Sequence, residues 1–100
     1  MAMTKEQILG ILKQNRELLA QKYHVINLFL FGSYVSGQFT PKSDIDLLVD
    51  ISQDDRKWGN HLALERFLVR KLHKKVDLVY MSSLNPIVRE EMGRSVVHVS

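Results

Sequence analysis

One hundred residues, 45% of them hydrophobic and 25% charged, make one ordinary globular domain with a single core and no room for a second lobe. The net charge of +3 leaves the chain open to anionic ligands, but its basic residues are spread out, with one local cluster at Arg70, Lys71, Lys74 and Lys75. Cysteine is absent, which excludes disulfides, thiolate catalysis and thiolate zinc sites.

The first segment, MAMTKEQ, has no apolar signal core. Thr4 with Gln7 three residues later reads as a capping box. Ile8, Ile11, Leu12, Leu18 and Leu19 then recur at helical spacing, predicting one amphipathic helix to about Lys22. Residues Val25 to Phe31 are apolar and rich in β-formers up to Gly32, which predicts a buried strand feeding a turn. That run is far too short to span a bilayer, so no membrane partner is expected, and the absence of cysteine is compatible with the cytoplasmic location expected here.

Ser33 to Gly37 reads as one short helical turn, followed by a loop with Pro41. From Asp44 to Ile51 the chain alternates: Ile45, Leu47, Val49 and Ile51 face one way, and Asp44, Asp46, Leu48 and Asp50 the other. A second amphipathic helix is predicted from Trp58 to Leu72, through Leu64, Phe67 and Leu68. A third strand spans Val76 to Met81, with Asp77 inside it. Asn85 and Pro86 cap and start a last helix that Gly93 stops, and Val96 to Val99 adds a short edge strand. The sum is a single domain over residues 1–100, of α/β (α+β) class, with a mixed sheet of about four strands and helices packed on it.

Two acids inside an apolar strand ask for an explanation. Side chains two apart share a face about 7 Å apart, and like charges there disfavour each other unless a cation neutralises them. Because no Lys or Arg alternates with them on that strand, a bound metal is the cation indicated, and oxygen ligands favour Mg²⁺ or Mn²⁺ over zinc. Gly32 and Ser33 offer the matching anion cradle: a close backbone approach, a hydroxyl, and the amides of the turn that Gly37 closes. Asp77 is the other acid embedded in an apolar strand and is the expected third carboxylate, ahead of Asp50. His24, His61, His73 and His98 show no ligand spacing, Trp58 reads as a packing residue, and the basic cluster reads as a decorated helix end.

The stretch GSYVSGQFTPKSDIDLLVD, with KVDLV later, resembles the signature of the DNA polymerase β-type nucleotidyltransferases, and the short chain is similar to their minimal bacterial and archaeal members. The resemblance implies that Gly32 and Ser33 bind the phosphates of ATP or another nucleoside triphosphate. It also implies that Asp44, Asp46 and Asp77 are the catalytic acids and hold two Mg²⁺ ions, with Mn²⁺ as a substitute. It further implies transfer of a nucleoside monophosphate, AMP from ATP, to a hydroxyl of a partner HEPN toxin, in an antitoxin role and within a homo- or hetero-oligomer. Two rivals share the fold: a non-catalytic module that neutralises its partner by docking, and a transferase acting on a small molecule or a nucleic-acid end. Nucleic acid is not the expected partner. One departure stands out: relatives often read Gly-Ser-x-Ala-Arg-Gly, and here Val35 and Ser36 replace Ala and Arg.

Overall fold

The computed structural model describes residues 3–52, 60–92 and 95–99. Its elements run α1 (Lys5–Gln14), α2 (Arg16–Tyr23), β1 (Val25–Phe31), α3 (Ser33–Ser36), β2 (Ile45–Ile51), α4 (Asn60–Leu72), β3 (Val76–Tyr80), α5 (Pro86–Met92) and β4 (Val97–His98). The strands form one mixed sheet in the order β3-β2-β1-β4. β1 is antiparallel to both β2 and β4, while β2 and β3 are parallel, a pairing that requires a crossover, made here by the stretch containing α4.

Thr4 caps α1 reciprocally with Gln7, as its spacing predicts. The single long first helix is not observed. Asn15 leaves helical geometry at φ −102° and ψ 5°, and its side-chain amide donates to the Ile11 carbonyl at 2.8 Å, competing with the backbone ladder. The break re-phases the second half of the segment. Leu19 and Tyr23 enter the core, whereas Leu18, expected in the apolar stripe, is 41% exposed. His24 and His73 take left-handed conformations where α2 and α4 end, which explains two of the four histidines without any ligand. Asn85 caps α5 through the Val88 amide at 2.9 Å, with Pro86 as its first residue. The expected start of α4 at Trp58 and the Gly93 stop lie outside the described residues.

Alternation along β2 decides where the core sits. Ile45, Leu47, Val49 and Ile51 are buried in one cluster with Ile8, Leu12, Leu64 and Leu68 of the helices. Leu48 is also buried but stands outside that cluster, flanked in register by Phe29 of β1 and Val79 of β3. β1 is not buried on both faces as expected. An irregularity between Val25 and Asn27 leaves Ile26 60% exposed, and only Val25, Leu28 and Leu30 of this strand are buried. The helices that feed this cluster, α1, α2, α3 and α4, therefore pack on one face, and the acids lie on the other.

Candidate active site

Strand pairing, more than sequence spacing, assembles the acids. Asp46 of β2 lies opposite Asp77 of β3 and opposite Phe31 of β1. Two carboxylates from different segments thus share one rung of the sheet, and Asp44 precedes β2 by one residue. The crowding has an electrostatic signature. Burial first, then the charges of Asp77 and Asp44, pushes the Asp46 carboxyl above its ordinary value of 3.8.

Gly32 is coupled to Asp46 directly. At φ 79° and ψ −150° it occupies a region that side chains avoid, and a Cβ there would run into the Asp46 carboxylate. The glycine is required by the approach of the acid. From Gly32 the chain makes one turn, α3, with the Val35 and Ser36 amides donating to the Gly32 carbonyl at 3.1 Å each. Gly37, at φ 85°, closes it as expected. Tyr34 anchors the turn from beneath: it is 1% exposed and stacks on Phe39 with ring centroids 4.5 Å apart. Ser33 is half-buried at the first position of the turn, where amides lack intrahelical acceptors. Ser36 is exposed, and its hydroxyl donates to the Ser33 carbonyl at 3.3 Å.

One cation was missed in the sequence. Lys75 places its ammonium 3.9 Å from Asp44 Oδ2, so the acids do not stand without a basic neighbour. The signal was register: Ile45 pairs with Val76, so the residues before them, Asp44 and Lys75, are brought alongside. Lys74 likewise does more than decorate a helix end, because its ammonium donates to the Pro41 carbonyl at 2.7 Å and ties down the loop that leads to Asp44. Asp50 shares the acidic face and accepts a bond from Asn27 at 3.2 Å.

Three carboxylates from neighbouring strands suit a hard divalent ion, and the space a Cβ of residue 32 would fill lies against one of them. As the side chains stand, no three His, Asp or Glu groups among the described residues close into a metal cage. Asp44 is engaged instead with Lys75. By chemistry the donor set, all carboxylate oxygen, suits a hard divalent cation.

A mixed four-stranded sheet carrying a glycine turn against paired strand carboxylates is the framework of a small nucleotidyltransferase. The chain belongs to the polymerase β-type family, since the profile described as "Polymerase beta, Nucleotidyltransferase" matches residues 7–98. It is 37% identical over 97 residues to the protein adenylyltransferase MntA of Thermococcus cleftensis, covering 97% of each chain. A solved structure assigned as a minimal nucleotidyltransferase superposes with a TM-score of 0.72 at 30% identity, over 89% of this chain and 93% of the other. A complex of a tri-AMPylated HEPN toxin from Shewanella oneidensis with its MNT antitoxin matches at a TM-score of 0.63 and 20% identity, over 92% of this chain and 71% of the other. That last likeness shows the fold alone.

Proposed function

We propose that this protein transfers AMP from ATP to a hydroxyl of a HEPN-type partner protein, with Asp44, Asp46 and Asp77 as its catalytic acids. The observation that carries the reading is the shared rung of Asp46 and Asp77 beside Gly32, where only glycine fits. Its resemblance to MntA, named a protein adenylyltransferase, supports AMP as the transferred group. The AMPylated HEPN toxin bound to an antitoxin of this fold supports the kind of acceptor.

Asp44, Asp46 and Asp77 would hold two Mg²⁺ ions, which supply Lewis-acid stabilisation of phosphate charge and lower the pKa of the attacking hydroxyl. The chain's own groups do the rest. Gly32 and Ser33 seat the phosphates against the first amides of α3, and Asp77 takes the proton from the acceptor hydroxyl as its oxygen attacks the α-phosphorus. The bond from the α-phosphorus to pyrophosphate breaks, and the acceptor carries the nucleotide as an ester. Burial, with the charges of Asp77 and Asp44, raises the Asp46 carboxyl and disfavours its ionised form unless a cation compensates the charge.

The test uses ATP labelled at either phosphate with a purified HEPN partner and Mg²⁺. Label from the α-position is expected on the partner, while label from the γ-position leaves as pyrophosphate. Incorporation of γ-label, or of neither, contradicts the assignment.

A further inference from the structure

We propose that Lys75 is an exchangeable counter-charge: it neutralises Asp44 in the resting protein, yields that carboxylate to a divalent ion, and then turns its ammonium to the phosphates of the nucleotide. The inference rests on the proposed metal and nucleotide site and deepens it.

Backbone geometry makes the exchange a matter of side chains alone. The Ile45 amide donates to the Lys75 carbonyl at 3.0 Å, which fixes the two chains at this point. Next to it, Lys74 holds the Pro41 carbonyl at 2.7 Å, so the loop before Asp44 is tethered independently of Lys75. What can move is the pair itself. Its side chains are 79% and 44% exposed, and an exposed pair with a separation of 3.9 Å is cheap to open. Among the described residues this is the ion pair that engages the acids, and neither Asp46 nor Asp77 has a cation at that distance.

Opening the pair gives two gains. A divalent ion can neutralise Asp46 and Asp77, which share a rung of the sheet, together with Asp44, whereas the single ammonium reaches Asp44 alone. The freed ammonium stays on the rim of the same patch, where a triphosphate brings several negative charges and a lysine serves as a point-charge ligand. The turn from Gly32 to Gly37, Gly-Ser-Tyr-Val-Ser-Gly, carries no basic residue. Lys75 thus supplies phosphate neutralisation from the neighbouring strand.

Because Lys75 competes with the metal and assists the nucleotide, the two affinities respond to its removal with opposite signs. Mn²⁺ binding, measured by electron paramagnetic resonance without nucleotide, is compared between wild type and Lys75→Met, and KM for ATP is measured on both. The variant is expected to bind Mn²⁺ about two- to fivefold more tightly, the range an exposed ion pair commands, while KM for ATP rises by about the same factor. Lys75→Arg returns both toward wild type. A residue that merely supports the fold would weaken both together, and that result overturns the proposal, as does unchanged Mn²⁺ binding or an unchanged KM. Absence of Mn²⁺ binding in the wild type overturns the site itself, and the proposal with it.

Discussion

The two faces of β2 obey opposite rules. One carries Ile45, Leu47, Val49 and Ile51 into a shared apolar cluster, where each side chain has packed neighbours and contributes by leaving water. The other carries Asp46 beside Asp77, with Asp44 at the strand entrance, and gathers charges that repel one another. Seven residues of one strand thus hold both a stabilising and a destabilising surface. The difference teaches that the fold is supported from the helix side, and that the opposite side is free to keep an arrangement useful only when a ligand completes it.

Substitutions on the two faces should separate accordingly. The largest effect is expected for Asp77→Asn, which removes the group proposed to take the acceptor proton: transfer to the partner should fall by about 10²–10⁴ while the melting curve barely moves. Labelled-AMP incorporation and circular dichroism on one preparation read both quantities. On the core face, Leu47→Ala leaves the acids in place but removes a fully buried side chain. Urea unfolding should show a loss of about 2–5 kcal/mol, with transfer by the remaining folded fraction little changed.

Gly32→Ala falls between the two faces. Its backbone angles and the adjacent Asp46 carboxylate both oppose a Cβ. A stability loss of about 1–3 kcal/mol is expected together with a fall in transfer, since either the turn or the acid must shift. Stability unchanged by this substitution would detach the glycine turn from the acid.

The smallest effect concerns pH. The folded-state value for Asp46 lies above its ordinary 3.8, so between the two the folded protein binds more protons than the unfolded chain. Stability is therefore lost as pH rises through the raised value, and the cost is fully present above it. Replacing Asp46 with Asn removes this contribution. The gap between mutant and wild-type melting temperatures should widen in the mutant's favour from about pH 3 to about pH 7.

How much of this was legible from the residues divides along the same line. The capping box at Thr4, the alternation of β2, the turn between Gly32 and Gly37 and the Asn85 cap are local patterns, and each is where its spacing puts it. What depends on a partner strand or a competing bond was not legible. Asn15 breaks the first helix through its own side chain, and Ile26 turns outward because β1 slips in register against β2. Lys75 meets Asp44 only because β2 and β3 run parallel in one register. The three acids and the glycine were readable as a motif, but the contact between Gly32 and Asp46 that explains their joint presence required the fold.

The central claim is that the acids serve chemistry at a cost to the fold, and Asp46→Asn tests it most directly when partner AMP transfer and melting temperature at neutral pH are measured on one sample. Transfer is expected to fall by about 10²–10³ and the melting temperature to hold or rise. Transfer retained near the wild-type rate, or a protein that melts several degrees lower, would contradict it and return Asp46 to a structural role.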